Sequence, residues 1–298
     1  MRARQLEVFT AIMRAGTVTA AARMLNISQP ALSQILLHTE DELGFRLFDR
    51  IKGRLHPTPE AIEIFPEAER IFADLEGLRR KTADLRHGRA GLVRIAASTP
   101  PAMAVLPGAL AAFRARHPEI LLRSHIAPLA SMIRMLREGD AALALALDDR
   151  HAPDIAAEVL GRVAFVCLLP SGHPLAAQHS LSLADLAEAP LIFYRSDTRP
   201  AEELARAART EGVTLTPSLE IDVSISAVGF VQAGLGLALV DALLPWAQFQ
   251  GIAVRPLAAS PTVPLALLSA RNRPLSQAET RLCGHLRQTC RALPTLLA

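Results

Sequence analysis

Residues 3–43 constrain the fold more than any other stretch, because three amphipathic helices follow one another there with almost no connecting sequence. Apolar residues recur at helical spacing until Gly16, and Thr17 directly after it can cap a second helix. Asn26 tolerates a left-handed backbone, and Ser28 can cap a third helix two residues later. The pattern predicts a helix, a tight turn and a second helix packed across the first.

The third predicted helix runs from about Gln29 to Leu43, and the outer side of its first half is polar but uncharged. Gln and Ser side chains both donate and accept hydrogen bonds, as recognition of base edges in the major groove of DNA requires. An ordinary solvated helix face has the same composition and is the alternative for this segment taken alone. The helical residues that we assign to DNA binding are Thr17, Ser28, Gln29, Pro30, Ser33 and Gln34.

A basic hairpin, the wing, is predicted in residues 45–58, with Arg50, Lys52 and Arg54 around its turn. Residues 1–58 hold eight Lys or Arg against five Asp or Glu, so the whole formal net charge of +3 belongs to this segment. Basic wing residues contact phosphates or enter the minor groove. We therefore add these three basic residues to the predicted DNA-binding set.

Residues 59–88 predict one long helix, because apolar side chains repeat there with alternating spacings of three and four. We interpret this heptad stripe as a contact with a second copy of the chain, with packing on its own domain as the alternative. Pro66 predicts a kink, and Gly88 ends the helix. The residues assigned to dimerisation are Ile64, Ala68, Ile71, Leu75 and Leu78.

Residues 3–61 resemble the N-terminal domain of LysR-type transcriptional regulators, through RQLEVFTAIMRAGTVTAAARMLNISQPALSQ, then EDELGFRLFDR, then the basic wing. The sequence departs from the family pattern at Thr39 and Pro57, where leucine is usual, and at Ala61, where glycine is common. The resemblance implies a winged helix-turn-helix in residues 1–58, then a linker helix for dimerisation. It also implies a C-terminal effector domain similar to periplasmic binding proteins, with the effector bound between two lobes.

Short apolar runs alternate with helical patterns through residues 91–298, from LVRIAAS to AALALAL and again from VAFVCLLP to LGLALV. This alternation predicts repeated βαβ units in two similar lobes. We place lobe I in residues 91–162 and 264–298, and lobe II in residues 163–263. The predicted fold class is α/β, with an N-terminal all-α winged helix-turn-helix, a long linker helix and a two-lobed effector domain.

Hydroxyl side chains follow several of the predicted strands, at the edge of the sheets where α/β proteins bind their ligands. Each hydroxyl could instead cap the helix that it precedes, which is the simpler interpretation for any one of them. Arg195, if it points inward, favours a carboxylate or another anion as the effector. The residues assigned to effector binding are Ser98, Thr99, Ser131, Arg195, Ser196, Thr198, Ser224 and Ser226.

Catalysis, metal binding and a membrane location find no support in the sequence. It contains no GxSxG, HExxH or P-loop pattern, and Cys167, Cys283 and Cys290 show no CxxC spacing. The two long uncharged stretches, 95–113 and 223–240, contain several proline, glycine and polar residues, which argues against a membrane span. We expect a cytoplasmic protein without enzyme activity, cofactor or metal.

These observations predict an allosteric regulator of transcription. A homodimer or homotetramer would bind a partly palindromic DNA operator, with RNA polymerase as a further partner, and effector binding would change the spacing of the subunits. The competing hypothesis is a small-molecule-binding protein whose helical domain does not bind DNA. The salt dependence of DNA affinity distinguishes the two, because only phosphate contacts release counterions.

Overall fold

The computed structural model describes residues 1–51, 54–86, 91–150, 152–259, 261–293 and 296–297. The contacts between residues divide the chain into an N-terminal unit and a C-terminal unit, each of which we describe by itself. Among these residues, no helix is both long enough and apolar enough to cross a membrane.

The N-terminal unit begins with three helices, α1 Ala3–Ala15, α2 Val18–Met24 and α3 Gln29–Leu43. The backbone is left-handed at Gly16, with a φ of 68°, and at Asn26, with a φ of 51°, so both residues form the sharp turns that the sequence suggests. The predicted helix-turn-helix is therefore confirmed.

A small apolar core holds these helices together. Phe9 and Ile12 of α1 and Leu32 of α3 are fully buried in it. Ala21 of α2 is also fully buried, and its small side chain allows the crossing helices to approach closely. The core therefore fixes the orientation of α3 and leaves its opposite side to the solvent.

A hairpin and a long helix complete the N-terminal unit. Strands β1 Phe48–Ile51 and β2 Arg54–Pro57 pair antiparallel, with the first residue of β1 opposite the last of β2, so the predicted wing is present. Helix α4 then runs over Pro59–Arg86 and contains Pro66 within its length. The predicted helix end at Gly88 lies outside the described residues.

The first half of the C-terminal unit is a parallel sheet with helical connections. Its strands lie in the order β4-β3-β5, as expected of successive βαβ units. The elements in chain order are β3 Leu92–Ala97, α5 Thr99–Ala104, α6 Leu106–Arg116, β4 Leu121–Ile126, α7 Leu129–Glu138 and β5 Leu143–Ala146.

The second half repeats the arrangement, with strands in the order β9-β7-β8. Its elements are β6 Ile155–Pro170, β7 Leu191–Tyr194, α8 Arg199–Thr210, β8 Pro217–Ile221, α9 Ala227–Gln232 and β9 Leu237–Asp241. The chain then continues through β10 Ile252–Pro256, β11 Thr262–Ala270 and α10 Gln277–Ala292.

Strand β6 connects the two halves, because it pairs with β11 through Ala164 and with β9 from Phe165 onward. The second set of strands was predicted to begin near Val163, whereas β6 begins at Ile155, so that prediction was wrong by eight residues. The missed part contains Glu158, Gly161 and Arg162 on a half-exposed strand and therefore lacks a continuous apolar run. The exact lobe boundaries stay a prediction.

Candidate DNA-binding and effector sites

Helix α3 presents polar side chains on the side opposite its buried residues. Leu32 and Leu36 face the core, whereas Gln29 and Gln34 are exposed and Ser33 is half-buried. The two glutamines lie in the first half of the helix, as in the predicted recognition helix. Their amide groups are therefore available to a partner that offers both donors and acceptors.

Two exposed hydroxyl groups cap the helices that approach this surface. Thr17 Oγ1 accepts a hydrogen bond from the backbone N–H of Ala20 at 3.2 Å. Ser28 Oγ accepts one from the N–H of Ala31 at 3.4 Å, next to the exposed Pro30 in the first turn of α3. Each hydroxyl still carries a proton that the capping bond does not use.

The base of the wing is tied to α3 by Glu40, a residue that the sequence analysis did not select. Its Oε1 accepts hydrogen bonds from the backbone N–H groups of Leu47, at 2.7 Å, and Phe48, at 3.1 Å. Thr58 ties the other end, since its Oγ1 donates to the carbonyl of Arg46 at 2.9 Å. Three carboxylates precede the turn at Gly44 in the sequence, so no local signal singled out Glu40.

The basic residues of the wing are only partly described. Arg50 lies in β1 and Arg54 in β2, but their side chains, like the whole of Lys52, lie outside what the structure describes. Their assignment to DNA therefore stays a prediction that rests on the sequence and on the strand positions.

The stripe on α4 divides into two parts. Ala68 is buried in the core of the N-terminal unit, and Ile64 is half-buried against the same core. The assignment of Ala68 to a dimer contact was therefore wrong, because this residue packs within its own unit. Ile71 and Leu78 are exposed, by 49% and 58%, and Leu75 is half-buried, so the later part of the stripe remains at the surface.

In the C-terminal unit, Ser98 and Thr99 lie at the end of β3, where α5 begins. The backbone N–H of Ser98 donates to the carbonyl of Leu145 at 2.9 Å and so ties this end to β5. Its hydroxyl group does not cap α5; it is shielded from solvent and has no hydrogen-bond partner among the described residues. Such a group is satisfied only when something else binds to it.

Two of the other hydroxyl groups are used by the backbone around them. Thr198 Oγ1 accepts from the N–H of Ala201 at 3.4 Å and donates to the carbonyl of Arg195 at 2.8 Å. Ser226 Oγ donates to the carbonyl of Val223 at 2.6 Å. Thr198 thus behaves as the capping alternative expects, whereas Ser226 does not cap α9 and bonds back to the preceding turn. Nothing in the geometry of either residue points to a ligand.

Arg195 does not point inward, which corrects the reason given for an anionic effector. Its guanidinium donates to both carboxylate oxygens of Asp197, at 2.6 and 3.0 Å, and lies 2.9 Å from a carboxylate oxygen of Asp222. These two carboxylates raise its pKa further above the ordinary value. Ser196 beside it is exposed, and Ser131 is half-buried in the first turn of α7.

A buried polar cluster that the sequence analysis missed lies where β7 and β9 end. The hydroxyl of Tyr194 donates to Asp241 Oδ2 at 2.7 Å, and the N–H of Leu243 donates to Oδ1 at 3.1 Å. Trp246 Nε1 donates to the carbonyl of Asp241 at 2.6 Å. Ser224 is buried here as well, and its hydroxyl group has no hydrogen-bond partner among the described residues.

Burial shifts the pKa values of the two ionisable groups in this cluster. It raises the pKa of Asp241 above its ordinary value and the pKa of Tyr194 well above its own, because a charge is poorly solvated there. The cluster contains the only tyrosine and the only tryptophan of the chain, which was the available signal. The turn at residues 224–226 also contacts α5, so this cluster and Ser98 belong to the same region.

A charged bridge between the end of β5 and the start of α8 was also missed. Arg150 donates to both carboxylate oxygens of Asp148, at 3.0 and 2.7 Å, and its Nη1 donates to Glu202 Oε1 at 2.6 Å. The separation of about fifty positions between Arg150 and Glu202 leaves no local pattern in the sequence.

Comparisons with known proteins identify related domains in both units. The family described as "Bacterial regulatory helix-turn-helix protein, lysR family" matches residues 3–62, and "LysR substrate binding domain" matches residues 86–291. The Transcriptional activator protein LysR of Escherichia coli (strain K12) is 30% identical over 300 residues, which cover 99% of this chain and 95% of that protein. The Regulatory protein NocR of Agrobacterium fabrum is 29% identical over 241 residues, or 81% of this chain and 80% of NocR.

Solved structures share the fold at lower identity. CbnR, described as a LysR family transcriptional regulator, is 20% identical with a TM-score of 0.69, covering 97% of this chain and 99% of CbnR. Full-length CbnR in complex with its target DNA is 21% identical with a TM-score of 0.69, covering 97% of this chain and 100% of that one. At this identity these structures support the fold alone.

Proposed function

The chain belongs to the LysR family of bacterial transcriptional regulators, and we propose that it binds a DNA operator through α3 and the wing. The family consists of regulators rather than enzymes, with a DNA-binding helix-turn-helix and a domain that binds a small-molecule effector. The observation that carries the residue assignment is the polar outer side of α3, where Gln29 and Gln34 are exposed while Leu32 and Leu36 are buried.

Gln34 tests this assignment. A base contact carries sequence information, so we expect Gln34→Ala to cost about 1–3 kcal/mol on the operator and almost nothing on unrelated DNA. Fluorescence anisotropy with both DNAs measures the two affinities, and Gln248→Ala, an exposed glutamine of the C-terminal unit, is the matched control. Equal losses on both DNAs would remove Gln34 from the base-reading set.

For the effector we propose a small molecule bound between the lobes, at the ends of β3, β7 and β9. Ser98 and Ser224 support this place, since the hydroxyl groups of both are shielded but unsatisfied within the described chain. Thr99 directly follows Ser98 and is half-buried. We expect Thr99→Val to weaken effector binding, because it deletes a hydroxyl without changing the shape of the side chain. Thermal stabilisation by a metabolite panel measures this, with Thr210→Val at the exposed end of α8 as control.

We further propose a homodimer or homotetramer in which Ile71 and Leu78 contact a second copy of the chain. Exposed apolar residues on one stripe of a long helix are stabilised when a partner helix covers them. Ile71→Asp is expected to lower the molar mass measured by light scattering, whereas Ile62→Asp, equally apolar and exposed but off the stripe, is not. We also propose that the DNA-bound protein contacts RNA polymerase and that the protein is cytoplasmic.

A further inference from the structure

A bridge of ion pairs joins the two predicted lobes. Arg150 follows β5 in lobe I, and its Nη1 lies 2.6 Å from Glu202 Oε1 on α8 of lobe II. In a second pair the cation comes from lobe II, where Arg199 lies 3.5 Å from a carboxylate oxygen of Asp149 in lobe I. The two predicted lobes therefore carry opposite charges that face each other near the strand ends where α/β proteins bind their ligands.

The two sides of the Arg150 guanidinium differ. Asp148, whose side chain is only 9% exposed, accepts three hydrogen bonds from Nε and Nη2 on one side of this group, and this fixes the direction of the other side. The pair that Nη1 forms with Glu202 is open to water, since these side chains are 41% and 44% exposed. An exposed ion pair contributes little stability, so a ligand can replace it at small cost.

A second polar group lies on the same edge of the sheet. Strand β3 is paired with β5, and the backbone of Ser98 is bonded to Leu145, three residues before Asp148. The hydroxyl of Ser98 is shielded and has no hydrogen-bond partner among the described residues. A molecule that reached Arg150 along this edge would therefore also find an unsatisfied hydroxyl group.

The charge balance of the bridge restricts the ligand. Four carboxylates meet three guanidinium groups there, and these are Asp148, Asp149, Glu202, Glu203, Arg150, Arg199 and Arg206. An anion that took Glu202's place on Arg150 would leave that carboxylate only its longer contact with Arg199, at 3.7 Å, among other negative charges. A cation that took Arg150's place on Glu202 would leave Nη1 without an acceptor. A ligand with both charges gives both Arg150 and Glu202 a close partner of opposite charge.

We propose that the effector is a zwitterion of the amino-acid class, whose carboxylate binds Arg150 and whose cationic nitrogen binds Glu202. This inference rests on the proposed function above, because it names the chemical class of the effector for the same site. The direct contact between Arg150 and Glu202 would be replaced by two contacts, one from each residue to the ligand. Its binding would thus change the relation of the lobes, as a regulator requires.

The test uses the full chain and measures its thermal midpoint with the standard amino acids, each beside its deaminated acid and its decarboxylated amine. At least one amino acid is expected to raise the midpoint. Each of its two counterparts lacks one charge and is expected to bind about 10- to 100-fold more weakly, the effect of losing one charge-assisted hydrogen bond.

Two variants locate the binding groups. Glu202→Gln and Arg150→Gln should each abolish the shift, and Glu202→Gln removes only an exposed carboxylate, so it keeps the test valid if Arg150→Gln is unstable. Arg287→Gln is the matched control, because Arg287 forms a similar pair with Glu158 at 2.7 Å with side chains 42% and 45% exposed. This control should keep the full shift.

Several outcomes would overturn the proposal. They are a deaminated acid or an amine that stabilises as strongly as its amino acid, a panel in which no amino acid stabilises, and a shift that survives both Glu202→Gln and Arg150→Gln. Operator binding by the ligand-free protein is measured separately. A failed amino-acid panel beside intact, Gln34-dependent operator binding rejects the zwitterion and leaves the regulator in place.

Discussion

The DNA-binding surface and the effector region use their polar groups in different ways. On α3, Gln29 and Gln34 point to the solvent, and the helix is held by apolar residues on its other side. In the effector region, Asp241 is fully buried, and its carboxyl and carbonyl groups accept hydrogen bonds from Tyr194, Leu243 and Trp246. The polar groups on α3 are exposed to a binding partner, whereas those of the effector region also form hydrogen bonds that stabilise the fold.

This difference determines whether a mutation can change binding without changing stability. A solvent-facing glutamine can be changed with little effect on stability, so its role in binding is measured directly. A buried polar cluster cannot, because removing one member leaves another without its hydrogen bond. Function and stability should therefore separate in the N-terminal unit and remain coupled in the C-terminal unit. Trp246, the only tryptophan, reports on the C-terminal unit alone.

The largest effect is expected at Gly236, just before β9. Its φ is 147°, and a Cβ atom there would lie 2.2 Å from the carbonyl oxygen of Pro190. Because backbone must move to relieve this overlap, Gly236→Ala should lower the stability of the C-terminal unit by at least about 3 kcal/mol. The Trp246 fluorescence midpoint should fall by about 6–12 °C.

Gly234 provides the matched control for this change. Its φ is 76° and a Cβ atom there would meet nothing within 4 Å, so alanine causes only local strain. We expect Gly234→Ala to cost about 1 kcal/mol. Similar losses in the two variants would show that the contact with Pro190 is not what requires glycine at position 236.

The N-terminal unit could be predicted almost completely because its signals are local. The caps at Thr17 and Ser28, the left-handed turn at Asn26 and the apolar spacing of α1 all act within a few residues of one another. The stripe on α4 was misread at Ala68, since periodicity shows that one side is apolar but does not show which surface covers it.

The effector region could be predicted only as an architecture. The order of strands and helices follows from local patterns, but Arg150 and Glu202, or Tyr194 and Asp241, become neighbours only through the folded chain. A hydroxyl before a helix is equally suited to capping and to ligand binding, and Thr198 shows that the first use can prevail.

A second prediction concerns Glu40, which tests whether wing geometry can be separated from global stability. In Glu40→Ala the N–H groups of Leu47 and Phe48 lose their acceptor, which loosens the base of the wing by about 1–3 kcal/mol. Operator affinity should fall about tenfold in consequence, while the Trp246 midpoint stays constant. Glu40→Gln keeps a carbonyl oxygen as acceptor and should retain most of the affinity. Unchanged affinity in Glu40→Ala would mean that the wing does not depend on this bond.

The third prediction concerns the pH dependence of stability in the C-terminal unit. Burial raises the folded-state pKa of Asp241. Below about pH 3.9 the carboxyl is protonated in both states; above it the unfolded state loses the proton more readily, so stability falls as pH rises toward the folded pKa. Asp241→Asn cannot ionise, so its Trp246 midpoint should fall less between about pH 4 and about pH 7 than that of the unchanged protein. Parallel curves for the two proteins would contradict a buried, proton-holding Asp241.

The smallest effect is expected at Arg54 in β2. This variant tests whether DNA affinity depends on where a positive charge lies or only on the net charge of the chain. If this arginine meets one phosphate, Arg54→Ala should flatten the plot of log affinity against log salt by about 0.9. Arg206→Ala on α8 removes the same charge from a surface helix of the other unit and should leave the slope unchanged. The two variants have the same net charge, so only a localised phosphate contact can separate their slopes. If both slopes flatten equally, the +3 of the N-terminal segment acts as a diffuse field, and the contrast between the two regions disappears.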